Sequence, residues 1–164
     1  MGGRSTLVVG AMSALLLAGC SQEQAAENPA FDTVQGEVHP VSGLTLRNVL
    51  VDTGEARHRF VAELAESRDE QAKGLMHRTE LGPDEAMLFP NEKPTARSFW
   101  MKNTPIPLDI IFVGLDGRIT NISARTEPYS EEQVYSVGSV SAVLEIAGGR
   151  AEELGIEPGD SVRW

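Results

Sequence analysis

The chain has 164 residues, a formal net charge of −10, a single cysteine and three histidines. That length suits one domain with tails, at roughly 100–200 residues per domain, and one cysteine excludes an intramolecular disulfide framework. The acidic balance, with no dense Lys/Arg run, excludes a phosphate-tracking nucleic-acid surface and any attraction of the body to anionic head groups.

The first segment, MGGRSTLVVGAMSALLLAGC, has one cation, Arg4, and then an apolar run from Leu7 to Ala18. Such a run is too short for a membrane span of roughly 20 apolar residues and reads as an export signal over residues 1–19. Its end, Leu17-Ala18-Gly19-Cys20, resembles the lipobox of bacterial lipoproteins. The resemblance implies that the Cys20 thiol takes a diacylglycerol, that the chain is cut before Cys20, and that the new amine is acylated. A thiol is the chemically apt nucleophile for that thioether, and two or three acyl chains hold where one is marginal. Removal of residues 1–19 takes away one Arg and no acid, moving the net charge to −11. The lipid is therefore the expected source of all membrane affinity. Ser21, rather than Asp, after the cysteine favours the periplasmic face of the outer membrane in a two-membrane bacterium.

Residues 20–43 are polar and Pro/Gly-bearing, the composition of a flexible tether; a single globular domain is expected over 44–164. Within it, Leu44 to Val51 predicts a strand, and Phe60, Ala62 and Leu64 mark the better-buried face of a second. Ser67 and Glu70 form a capping box opening a short helix to about Met76. Strands are expected at Ala86 to Phe89, Ser98 to Lys102 and Leu108 to Val113. Gly114-Leu115-Asp116-Gly117 signals a hairpin returning through Arg118 to Ala124. Residues 125–139 are irregular, Val140 to Ile146 alternates again, Gly149 to Leu154 predicts a brief helix, and Ser161 to Trp164 a last strand. Many short strands with two short helices give an α+β domain, mostly antiparallel, built on a strongly curved sheet or small barrel.

The densest unusual stretch runs Phe99-Trp100-Met101-Lys102-Asn103-Thr104-Pro105-Ile106-Pro107-Leu108-Asp109-Ile110. With Gly74-Leu75-Met76-His77-Arg78 before it and Val143-Leu144-Glu145 after it, the chain resembles the domain of unknown function 192 (UPF0127) family from about Arg59 to Val162. The resemblance implies a compact α+β, mostly antiparallel domain, often exported, and implies no reaction.

On a strand, Phe99 and Met101 face the core while Trp100 and Lys102 present an aromatic face and a cation together. Asn103 and Thr104 add short polar groups on a loop stiffened by Pro105 and Pro107, Asp109 begins the next strand, and Arg78 offers a fork for a carboxylate or phosphate. These six (Arg78, Trp100, Lys102, Asn103, Thr104 and Asp109) are the candidate binding residues. Each also has a structural reading: Asn103 and Thr104 closing a turn, Lys102 paired with Asp109, Trp100 in the core, Arg78 capping a helix end.

No His pair has ligand spacing and no nucleophile elbow, P-loop or dinucleotide fingerprint is present, so no metal and no cofactor is expected. Gly148-Gly149 before a short helix suits an anion or, more simply, a turn. A Ser98/His77/Asp109 set is of the kind any chain this long offers. Three functions follow: a non-catalytic envelope domain binding a small ligand, which we prefer; an assembly or interaction factor holding a partner protein's segment; and a hydrolase on a cell-wall or lipid substrate with Asp109 or Glu145 as acid/base. The last predicts a carboxyl with a raised pKa inside a pocket.

Overall fold

The computed structural model describes residues 1–3, 34 and 36–164. The signal segment beyond residue 3, Cys20 and most of the expected tether lie outside the described residues. The elements in chain order are β1 (Leu46–Asp52), β2 (Arg57–Leu64), α1 (Arg68–Lys73), β3 (Glu85–Thr95), β4 (Ser98–Phe99), β5 (Leu108–Gly114), β6 (Ile119–Ser123), β7 (Val134–Tyr135), β8 (Val140–Ala147), α2 (Arg150–Glu153) and β9 (Ser161–Arg163).

Seven strands form one sheet in the order β6-β5-β8-β3-β2-β1-β9, and β4 pairs β7 in a separate two-stranded ribbon. All pairs are antiparallel except β2 with β3. A parallel pair needs a crossover, which residues 65–84, carrying α1, supply. The sheet curls strongly into a half-barrel accompanied by two short helices. Its outermost strands approach each other at one end, where Ile119 donates to the Asp160 carbonyl at 2.9 Å and Val162 to the Gly117 carbonyl at 2.7 Å.

Two apolar clusters lie on opposite faces of this sheet. The inner one takes the alternating residues Phe60, Ala62 and Leu64 of β2, Ile111 and Val113 of β5, and Ala142, Leu144 and Ile146 of β8, with Val49, Val51 and Val162. The outer one holds Met87, Phe89, Leu108, Ile110, Phe112 and Val143 beneath Leu75 and Met101. β5 is thus buried on both faces, which accounts for its apolar run from Ile110 to Val113.

The Ser67/Glu70 capping box forms as expected, Glu70 accepting from the Ser67 amide at 2.7 Å and the Ser67 hydroxyl accepting from the Glu70 amide at 3.2 Å. α1 ends earlier than the periodicity suggests, because Gly74 takes φ 47° while donating to the Glu70 carbonyl. A Cβ at Gly74 would meet the Phe89 ring at an ordinary 3.5 Å, so conformation rather than space accounts for this glycine. At Gly148 space decides: a Cβ would come within 2.8 Å of Pro107.

Residues 36–46 fold back on the body. His39 donates its amide to the Leu44 carbonyl and Leu46 to the Glu37 carbonyl, while Leu64 donates to the Thr45 carbonyl.

Candidate functional site

β4 is only two residues long. Beyond Phe99 the chain leaves the ribbon and is fastened by single bonds: Met101 donates to the Ser130 carbonyl at 2.9 Å, and Thr104 accepts from Tyr129 at 3.1 Å. Asn103, at φ 55°, accepts from the His77 amide at 2.8 Å, tying this loop to the end of α1. The side-chain alternation persists without the strand, since Met101 is buried while Trp100 is 42% exposed. Lys102 reaches back over the Trp100 ring, its Nζ 5.0 Å from the ring centre, and lies 3.8 Å from Glu131.

Between this loop, the end of α1 and the outer face of the sheet lies a cavity of about 240 Å³. Phe89, Phe99 and Leu108 supply its apolar wall, Trp100 and Lys102 its rim, and Glu145 a carboxyl among them. Glu145 is 4% exposed and has no hydrogen bond or ion pair among the described residues. Burial without a compensating partner favours the neutral acid and pushes its pKa up to about 8. Met87 and Ile110 flank it across β3 and β5.

Arg97 borders the same cavity. Its Nη1 donates to Gln71 Oε1 at 3.1 Å and to Asn91 Oδ1, and its guanidinium lies over the Phe99 ring at 5.2 Å. Burial lowers its pKa, and none of the ion pairs among the described residues includes it.

The six residues singled out from sequence divide. Trp100, Lys102 and Thr104 meet at the cavity; Asn103 stands beside it, its amide 3.8 Å from Met76 Sδ. Arg78 lines a second cavity of about 530 Å³ across α1, with Leu44, His77 and Met87. There it pairs with Glu63, which is 3% exposed and also lies 3.6 Å from His39. The helix-cap reading of Arg78 is thus replaced by an ion pair.

Asp109 lies behind the sheet, fully buried and away from both cavities. Its Oδ1 accepts from the Arg125 and Gly149 amides at 2.7 and 2.9 Å, and its Oδ2 from the Ala151 amide at 2.8 Å. The Gly148-Gly149 turn therefore does hold an anion, and that anion is the chain's own carboxylate. This also removes the Lys102–Asp109 pair and the Ser98/His77/Asp109 set: a carboxylate enclosed by three amides behind the sheet cannot serve groups on its outer face.

Arg97, Gln71 and Glu63 belong to no motif in the sequence. The available signal was an acid inside an apolar alternation, which both Glu63 (between Ala62 and Leu64) and Glu145 (between Leu144 and Ile146) display. Among the described residues no group of three or more His, Cys, Asp and Glu side chains is gathered to hold a metal ion.

Two solved structures resemble this arrangement closely. A protein of unknown function from Novosphingobium aromaticivorans is 52% identical, with a TM-score of 0.81 over 84% of this chain and 99% of that one. A candidate transcription regulator from Sinorhizobium meliloti is 35% identical, with a TM-score of 0.71 over 73% of this chain and 94% of that one. No curated protein matches the chain. The DUF192 family, described as an uncharacterized ACR, matches residues 49–164. The chain belongs to the DUF192 family.

Proposed function

We propose that the protein is a lipid-anchored cell-envelope domain that binds a small ligand, without catalysis, in the cavity between α1 and the Trp100–Thr104 loop. The observation that carries this reading is Glu145. A buried carboxyl with no partner is a costly arrangement that a purely structural role does not call for. Here it faces a cavity with an apolar wall and cations at its rim, the combination that small-molecule sites use to fix orientation. Thermal shift of the protein against small envelope metabolites tests the assignment, with Lys102→Ala and Glu145→Leu beside the wild type. Stabilisation of all three proteins to the same degree would remove the site from consideration.

The anchor rests on the Leu17-Ala18-Gly19-Cys20 spelling and on a body whose net charge gives it no attraction to anionic lipid. Cys20→Ser should release the protein from membranes. Its retention in the membrane fraction after a salt wash would contradict the anchor. In a two-membrane source the domain would lie at the periplasmic face of the outer membrane.

An acid/base enzyme is a second reading, favoured by the same raised pKa of Glu145. It requires a nucleophile or activated water beside that carboxyl; two hydroxyls border the cavity, Ser98 and Thr104, neither of them hydrogen-bonded to Glu145, and Thr104 is 5% exposed and donates to the Lys102 carbonyl at 3.4 Å. Binding is therefore the better-supported function.

A further inference from the structure

We propose that Arg97 is the anion-binding residue of this cavity and that the cavity takes a monocarboxylate with a flat apolar body. The inference rests on the ligand-binding reading above and adds the ligand's chemical class.

Arg97 is held as a binding group would be. Gln71 donates through Nε2 to the Ala65 and Pro90 carbonyls at 3.1 and 2.9 Å, and Asn91 donates through Nδ2 to the Val140 carbonyl at 2.8 Å. Those bonds fix both amide orientations, so both oxygens must point at the guanidinium. The backbone of Arg97 is fixed as well, donating to Ser136 Oγ and accepting from the Ser136 amide, each at 2.9 Å.

Both oxygens converge on one nitrogen, Nη1. They steer the group without neutralising it. Nε and Nη2 have no acceptor among the described residues, and no acid pairs with the charge. A guanidinium with one nitrogen held and the other two free presents the fork that a carboxylate fills with two parallel bonds. Phe99, beneath the cation and facing the cavity, offers a flat apolar surface next to that fork. At ~30 Å³ per water, 240 Å³ is room for about eight waters, the scale of a small aromatic acid. Glu145, neutral at pH 7, offers a hydrogen-bond donor to the ligand body rather than a charge opposing its carboxylate.

Arg97 also borders a second opening of about 360 Å³ with Arg68 and Lys93. The test must therefore report where the ligand sits. Benzoate and its neutral counterpart benzamide are titrated into the purified full-length chain and followed by amide and indole NMR shifts. The expected result is benzoate perturbing Phe99 and Trp100 and binding about tenfold or more tightly than benzamide. Arg97→Gln should weaken benzoate by a similar factor and leave benzamide unchanged. If that variant does not fold, the benzoate/benzamide ratio in the wild type decides alone.

Equal binding of the two compounds at the cavity would overturn the role of Arg97 and leave the broader ligand-binding reading standing. Perturbation confined to Arg68 and Lys93 would overturn it too. No perturbation by either compound up to about 10 mM, weaker than any useful recognition, would count against both.

Discussion

Glu63 and Glu145 lie in one cross-strand row on the outer face of the sheet, with Met87 of β3 paired to both. At ~4.8 Å between neighbouring strands they sit about 10 Å apart. Both are nearly fully buried, yet their circumstances differ. Glu63 has Arg78 as a partner, whereas Glu145 has none among the described residues and faces the cavity. Two identical side chains on one surface are thereby given different surroundings and different roles.

That contrast has a pH signature. Below about pH 4.5 Glu145 is neutral in the folded and unfolded chains alike. As pH rises towards 8 the unfolded carboxyl ionises while the folded one keeps its proton, so this residue's contribution to stability falls; above 8 the loss levels off. By pH 8 it amounts to about 4 kcal/mol. Glu145→Gln should match the wild type in urea midpoint near pH 4 and exceed it at pH 8. Parallel midpoint curves would show that the carboxyl is not desolvated.

Arg78→Ala leaves the Glu63 carboxylate buried without its cation and should destabilise the domain by about 3 kcal/mol. Adding Glu63→Gln should recover most of that loss, because a neutral amide needs no counter-charge. The urea midpoints of the single and double variants measure this. A double variant no better than Arg78→Ala would show that the pair is not what stabilises this region.

Asp109→Ala strands three amides that have no other acceptor among the described residues, at a cost of about 3 kcal/mol or more. Asp109 lies behind the sheet, so ligand binding by the surviving folded protein should be unchanged. A fold that tolerates the substitution while losing binding would place Asp109 in the site after all.

The strands of this domain were legible because burial on one face imposes period two. Phe60, Ala62 and Leu64 identify β2, and the apolar run of β5 marks its burial on both faces. The Ser67/Glu70 box located the start of α1, since capping is a local event. Its end is not legible: Leu75 and Met76 continue the apolar spacing because Leu75 joins the outer cluster and Met76 meets Asn103 of the loop, not because the helix continues. β4 was drawn too long because tertiary hydrogen bonds to Ser130 and Tyr129, invisible in sequence, hold Met101 to Thr104 in place of a strand partner. β7 was missed in a polar stretch because its two residues pair only with β4.

The site was half legible. Trp100, Lys102 and Thr104 stood out by composition and do meet. Asp109 shares their sequence neighbourhood, but a strand sends its side chain to the opposite face from Leu108, and the sheet separates it from them. Arg97 drew no notice because a cation in a polar segment is ordinary. Its distinction comes from Gln71 and Asn91, 26 and 6 residues away, whose amides only the fold aims at it.

The most direct measurement is NMR mapping of a panel of small organic compounds on the protein, with and without Glu145→Leu. We expect perturbations to gather at Gly74, Phe99, Trp100 and Lys102 and to weaken about tenfold when Glu145 becomes Leu, the loss of one well-made buried hydrogen bond. Shifts scattered over the surface, or gathered at the cavity but indifferent to Glu145, would contradict the assignment of this cavity and its buried carboxyl as the functional site.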